Sequence, residues 1–296
     1  MDDEVLKKYR KAGRIAGKAR EHGKKMLKKG TSYKEVVEST ENRIRELGGE
    51  IAFPTNLSIG SAGAHDTADV NEERTLESGL AKIDVGVHVD GWIGDTATTV
   101  SLDGKDEEMI EAAEAGLEAA IGMMKPGNKV KDVSAKIEKA IRDHGYTPIT
   151  NLTGHGLDKY DLHAKLQIPN VKNEINYELE KGDVFAIEPF ATDGAGKVNE
   201  GNKTLIYCWQ KDKSVRSRQG RKILKMAKNE YHKLPFAKRW LTEEISPLRL
   251  NMALRQLAER GALYKYPVLK EAEGGNVAQA EHTILVGEEP EILTKV

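Results

Sequence analysis

The feature that most limits how this chain can fold is that it repeats itself. A shift of 97 positions lines up Gly30 with Gly127, Lys34 with Lys131, Val36 with Val133 and Glu41 with Glu138. The same shift matches Ile44 with Ile141, Arg45 with Arg142 and Gly48 with Gly145. Thr55-Asn56-Leu57-Ser58 is then echoed by Thr150-Asn151-Leu152-Thr153. Leu76-Glu77-Ser78-Gly79, leading to Ile83-Asp84, returns as Leu179-Glu180-Lys181-Gly182, leading to Ile187-Glu188. Chance likeness between two amphipathic helices would explain the first set, but not three sets in one order. We read an internal duplication, which predicts two α/β halves related by a pseudo-twofold axis.

Each half opens with a pair of helical patterns. Asp3 to Lys29 places Leu6, Tyr9, Ile15, Ala16 and Ala19 on one side. Ser32 with Glu35 forms a capping box for the next helix, which Gly48-Gly49 ends. The second half offers Asp106–Met124, stopped by Pro126-Gly127, and Val130–Asp143, ended by Gly145. Ile51 to Ile59 reads as a strand interrupted at Pro54, followed by a polar loop, Gly60 to Arg74, that carries His65.

The stretch Lys82 to Thr99 is where chemistry first shows. Ile83, Val85, Val87 and Val89 alternate with Asp84, Gly86, His88 and Asp90, the period of a half-buried strand. Asp90-Gly91 is a two-residue turn signal, and Trp92 to Val100 reads as the returning strand. A tight turn there sets Asp95 opposite Gly86, leaving Asp84 and Asp95 diagonal on one face with Cα atoms roughly 7–8 Å apart. Such a pair is either solvated at a surface or bridged by a proton or a metal.

The duplication decides where to look next. If Glu188 repeats Asp84, an acid should stand where Asp95 stands, and nothing close downstream fits. Ala280-Glu281-His282-Thr283-Ile284-Leu285-Val286 resembles Gly94 to Val100, with Glu281 in the acid's place. The second hairpin would then have its turn replaced by an insertion, Gly194 to Gly275, holding helical patterns at Ser214–His232 and Pro247–Arg260. This predicts a main domain of residues 1–193 and 276–296 and an inserted helical subdomain of residues 194–275. Asp84, Asp95, Glu188 and Glu281 would meet at a common centre, with the Gly-flanked His155 between the second helix pair and the second hairpin. Oxygen donors with one imidazole suit Mn, Fe(II), Co or Zn better than Ca. Carboxylate-bridged metal pairs activate water for hydrolysis.

Composition agrees with an intracellular enzyme. A net charge of −1 gives no general pull on nucleic acid, and the single Cys208 excludes an intramolecular disulfide framework. No apolar run approaches the ~20 residues of a membrane span. We therefore expect a soluble, cytoplasmic protein with no membrane contact, and take it to be a monomer.

Five motifs together resemble the type II methionine aminopeptidases, archaeal members above all. They are Lys82-Ile83-Asp84-Val85-Gly86, Gly94-Asp95-Thr96-Ala97, Gly154-His155-Gly156, Ala186-Ile187-Glu188-Pro189-Phe190 and Gln279-Ala280-Glu281-His282-Thr283. The resemblance covers essentially the whole chain. It implies the α/β pita-bread fold, with its internal pseudo-symmetry, and a winged-helix-like insertion that marks type II. It implies two divalent metal ions (Co, Mn, Fe(II) or Zn): Asp84 chelating one, Asp95 and Glu281 bridging both, His155 and Glu188 completing the other. It further implies that His65, matching the histidine of an Ala-Ala-His motif, acts near the scissile amide. His163 would polarise the carbonyl and stabilise the oxyanion, and Phe53, Leu162, Phe190 and Tyr266 would line the methionine pocket. The implied activity is removal of the initiator methionine from nascent polypeptides, by attack of a metal-held hydroxide on the first peptide bond.

Two departures stand out. Asp66-Thr67-Ala68 follows His65 where the family commonly shows Tyr-Thr-Pro, which bears on the shape of that loop. Ala280 replaces a frequent Phe, which bears on packing near the bridging acid. The remaining histidines read as structural (His88, His282) or solvated (His22, His144, His232), and Cys208 as a buried, inert thiol. The basic run Lys211 to Lys228 is either a solvated helix face or a contact for ribosomal RNA near the peptide exit. Two rivals share the fold. A prolidase or proline aminopeptidase usually carries a further N-terminal domain and lacks the helical insertion. A non-catalytic homologue binding RNA or protein would have lost ligands that stand here.

Overall fold

The computed structural model describes residues 1–296, the side chain of Lys165 excepted. Helix α1 (Asp3–Met26) starts at Asp2, whose carboxylate accepts the Glu4 N–H at 3.2 Å. Helix α2 (Tyr33–Glu46) starts at Ser32, whose hydroxyl accepts the Glu35 N–H, the contact the capping box anticipates. Strand β1 (Glu50–Ile59) is followed by the short β2 (Ala62–Ala64), then by β3 (Leu80–Val89) and β4 (Trp92–Ser101). The sheet β1-β3-β4 is antiparallel, and α1 crosses it so closely that a Cβ on Gly94 would fall 2.6 Å from the Gly13 backbone. Ile15, Val36, Val37, Ile44, Leu57, Ile83, Val85 and Val87 fill the space between helices and sheet. Pro54 interrupts the pairing of β1, as its sequence suggests, but not the strand itself. The strand continues past it with register shifts between Phe53 and Asn56, a bulge that absorbs the missing N–H.

The second half repeats the plan with α3 (Glu107–Ile121), α4 (Val130–Asp143), β5 (Thr147–Pro148), β6 (Thr153–Asp158), β7 (Asp161–Pro169), β8 (Val184–Ile187) and β9 (Phe190–Thr192). The duplication reaches single hydrogen bonds. Gly30 N–H donates to the Leu76 carbonyl at 2.7 Å, and Gly127 N–H to the Leu179 carbonyl at 2.9 Å. The reverse bonds, Leu76 to Thr31 and Leu179 to Asn128, measure 2.9 and 2.8 Å. Both glycines sit in left-handed backbone, at φ 85° and 86°, which explains why glycine stands at each.

Between the halves of the second strand pair run β10 (Val198–Trp209), α5 (Arg218–Asn229), β11 (Phe236–Ala237), a 3-10 turn (Lys238–Leu241), α6 (Pro247–Glu259) and β12 (Leu263–Glu271). This segment has its own apolar cluster, including Ile223, Phe236, Leu241, Leu250, Leu254 and Leu257. Its sheet, β11-β10-β12, takes β2 of the first half as a fourth strand, so it is knitted into the molecule. Helix α5 is shorter than its sequence pattern because Ser217 caps it, accepting the Gly220 N–H at 3.2 Å. The chain closes with β13 (Val277–Gln279), β14 (His282–Leu285) and β15 (Glu291–Ile292).

Candidate active site

The first hairpin forms as its alternation predicts. Asp90 and Gly91 both have positive φ, 51° and 90°, the conformation of a type I′ turn, and Gly86 pairs with Asp95 while Asp84 pairs with Ala97. In the second half, β8 pairs with β14 at Ile187↔His282 and β9 with β13 at Phe190↔Gln279. The register is the same on both sides of the break, and the Ala280 N–H donates to the Pro189 carbonyl at 3.2 Å, so Glu188 and Glu281 face each other. The two pairs are joined where β4 meets the β13–β14 junction. Glu281 N–H donates to the Ala97 carbonyl at 3.1 Å, and the Thr283 hydroxyl bonds both the N–H and the carbonyl of Asp95 at 2.7 and 2.8 Å.

These pairings bring the acids together with His155 of β6. Its Nε2 lies 3.5 Å from Glu188 Oε1 and 3.8 Å from Asp95 Oδ2. Ligand atoms of Asp95, His155 and Glu281 all lie within 4.8 Å of one another. Burial raises all four carboxyls: Asp84 is pushed up to about 7, and Asp95, Glu188 and Glu281 go well above the usual range, mutual repulsion adding to desolvation. Burial, with His163 alongside, holds His155 neutral. A neutral imidazole with four crowded carboxylates is a cation site by its chemistry. The fit is supported by buried oxygens without a hydrogen-bond partner, Asp84 Oδ1 and Asp95 Oδ1.

A cavity of about 350 Å³ opens onto this cluster, and all eleven residues singled out by sequence line it. Phe53, Leu162, Phe190 and Tyr266 supply apolar wall. His163 stands accessible at the cleft with its ring centroid 4.5 Å from that of His155. His65 lies edge-on to Tyr266 at 5.1 Å, and its Nδ1–H donates to the Pro267 carbonyl at 3.3 Å. Desolvation, helped by repulsion from His163, lowers His65 to about 4, which leaves its ring neutral near pH 7. Desolvation lowers His163 also.

Sequence reasoning gave no role to several residues here. Gln279 directs its Nε2 toward Glu188 Oε2 (3.4 Å) and Glu281 Oε2 (3.5 Å), orienting two acids at once. Its position two residues before Glu281, on the same strand face, was a usable signal. Asn56, paired in register with Asp84, and Ile206, Pro235, Tyr264 and Leu269 from the inserted segment also line the cavity. Nothing local announces the last four. The other histidines stand apart: His88 is buried with its Nδ1 accepting the Gly91 N–H, and His282 points to Thr294 and Arg20. Burial pushes the Cys208 thiol up to about 12, consistent with an inert group. Of the two departures, Asp66 is buried in a paired contact with Arg74 at 2.8 and 3.2 Å, and Ala280 packs inside the second-half core.

Residues 7–288 match the model of metallopeptidase family M24. The chain belongs to this family. Two similar relatives are the methionine aminopeptidase of Pyrococcus abyssi, 48% identical over 96% of this chain and 97% of its own, and that of Pyrococcus horikoshii, 50% identical over 93% and 94%. Among solved structures, that of a thermophilic Arx1 superposes with a TM-score of 0.87, covering 99% of this chain and 91% of the other, at 17% identity. At that identity the likeness speaks for the fold alone. The M24 chain has the pita-bread fold of its family, and membership makes it a peptidase dependent on divalent metal.

Proposed function

We propose that this M24 chain is a methionine aminopeptidase, removing the N-terminal methionine of nascent polypeptides. The observation that carries the reading is the convergence of Asp84, Asp95, His155, Glu188 and Glu281 on one end of an apolar cavity flanked by His65 and His163. Asp84, Asp95, His155, Glu188 and Glu281 would hold two divalent ions; Co, Mn, Fe(II) and Zn all suit the donor set. Metal bound there supplies Lewis acidity and lowers the pKa of water. The protein's own groups do the rest. Phe53, Leu162, Phe190 and Tyr266 would take the unbranched thioether side chain, so that the free α-amine ends near the acids. His163 would donate to the carbonyl oxygen as charge develops, and neutral His65, its proton held on Nδ1, would accept from the amide N–H through its free Nε2.

The test is release of methionine from Met-Ala-Ser, set beside cleavage of Xaa-Pro peptides, after chelation and after metal return. Metal-dependent methionine release is expected. Cleavage confined to Xaa-Pro bonds would instead favour a proline-directed peptidase of the same fold.

Residues 194–275 would form the inserted subdomain of a type II enzyme and 1–193 with 276–296 the catalytic domain. We read the protein as acting as a monomer, and nascent chains as substrate support a cytoplasmic place of work. No helix among the described residues is long and apolar enough to cross a membrane. The basic run Lys211–Lys228 would contact ribosomal RNA. Helix α5 buries Ile223, Leu224 and Ala227 and exposes Arg218, Arg221, Lys222, Lys225 and Lys228, with Lys228 tied to Asp212 and Lys222 to Glu244. Charge reversal at Arg218, Arg221 and Lys225 should abolish co-sedimentation with ribosomes; undiminished binding would sink this part of the proposal.

A further inference from the structure

His65 occupies left-handed backbone, φ 63°, a conformation uncommon for residues other than glycine and held here by its surroundings. The three residues that follow supply that support. Leu57 N–H donates to the Asp66 carbonyl at 2.8 Å, Arg74 holds the Asp66 carboxylate, and the Thr67 hydroxyl donates to the Thr55 carbonyl at 2.7 Å. One further grip comes from far along the chain. Arg239, 7% exposed in the 3-10 turn, donates from Nη1 to Thr67 Oγ1 at 3.1 Å and lies 3.5 Å from the Ala68 carbonyl. Its Nη2 pairs with Glu41 of α2, itself 2% exposed. Glu41 also accepts the Trp240 indole N–H at 3.0 Å and the Thr55 N–H at 3.3 Å. One guanidinium thus ties a helix of the first half, the segment between residues 194 and 275, and the loop behind His65. The same segment holds the imidazole ring, through the Pro267 carbonyl and Tyr266.

We propose that Arg239 is a positioning residue for His65: paired with Glu41, it conveys the docking of the inserted segment to the loop that aims the His65 imidazole into the cleft. The inference rests on the reading of His65 as a substrate-side group. The rival is a buried ion pair that merely holds two parts of the protein together, and loss of folding alone would not tell them apart. Coupling to His65 does.

Arg239→Lys keeps a cation for Glu41 but lacks the planar fork that reaches Thr67 at the same time. Glu41→Gln with Arg239→Met removes both charges, so that no buried charge is left unpaired if the lysine variant fails to fold. Each is made in the wild-type and His65→Ala backgrounds, and kcat, KM, bound metal and melting temperature are measured with Met-Ala-Ser. Arg239→Lys should lower kcat about tenfold with metal content unchanged, against the ~10²-fold that a 1 Å misplacement can cost. In the His65→Ala background the same change should cost less than about twofold, because the group being aimed is gone. Equal losses in both backgrounds, or an unchanged kcat in wild type, would overturn the proposal while leaving His65 its role. Full activity of His65→Ala alone would remove that role and the proposal with it.

Discussion

The two strand pairs that hold the acids reach similar arrangements by different routes. In the first, Asp84 and Asp95 sit on adjacent strands joined by two residues, and a type I′ turn fixes the register locally. In the second, Glu188 and Glu281 sit on strands separated by the segment that includes β10 to β12, so the register must be fixed by tertiary contacts. The segment's neck does this. A Cβ on Gly275 would fall 2.6 Å from the Gly194 Cα, the Glu271 carboxylate accepts the N–H groups of Glu273 and Gly275 at 2.8 and 3.1 Å, and the Thr192 hydroxyl donates to the Asn276 carbonyl at 2.6 Å. The difference teaches that a turn can be exchanged for a folded segment if its two ends are brought back to strand spacing. It also gives the segment access to the cleft, where Ile206, Tyr264, Tyr266 and Leu269 form wall that a two-residue turn could not supply.

Equal halves of one cage should fail equally. Asp95→Asn, from the locally closed pair, and Glu281→Gln, from the split pair, should each lower kcat by on the order of 10³-fold or more and reduce bound metal. Metal analysis and turnover check this, and an active Glu281→Gln would break the equivalence. If His163 is the carbonyl donor proposed above, His163→Ala leaves the acids and His155 in place, so kcat should fall about 10²-fold with metal retained. Metal loss in that variant would mean the histidine belongs to the cage.

The closures themselves should differ in tolerance. Gly275→Ala presses a Cβ against backbone that cannot yield and should cost about 2–3 kcal/mol, with kcat reduced as Glu281 shifts. Gly91→Ala strains a left-handed turn and meets the movable Tyr160 ring, so about 1 kcal/mol is expected, with kcat nearly unchanged. Urea melts and turnover decide; a larger effect at Gly91 would show that the local turn, not the neck, is the vulnerable closure.

The remaining expectation concerns pH. His65 is held to about 4 against an ordinary 6.5, so the unfolded chain takes the proton first. Its contribution is complete above about pH 6.5 and is lost as pH falls toward 4, by at most about 2 kcal/mol between pH 7 and pH 5. His65→Asn should make the stability profile shallower over that interval, the slope that remains coming from His155, His163 and His282, which burial also lowers; an unaltered profile would show that His65 contributes nothing to it.

Much of this was legible before folding. The duplication fixed the pairing of helices and strands, alternation set Asp84 and Asp95 on one face, and the repeat led to Glu188 and Glu281. His155 stood out by its flanking glycines and its place between the repeats, and resemblance supplied its role together with His65, His163 and the apolar wall. Pro54 marked the break in pairing, but not that a bulge, which has no sequence period, carries the strand past it. Gln279 stood inside a recognised motif but gained meaning only when both acids were seen within its reach.

What sequence by itself determined are the features written in short-range order: helix periods and caps, strand alternation, a two-residue turn, and a repeat whose two copies can be compared. Only the tertiary structure decided how residues 194–275 close their neck, lend wall to the cleft and bring Arg239 to Glu41 and Thr67. Those contacts join positions far apart in the chain, where no periodicity links one partner to the other and only the packed backbone brings them within hydrogen-bond distance.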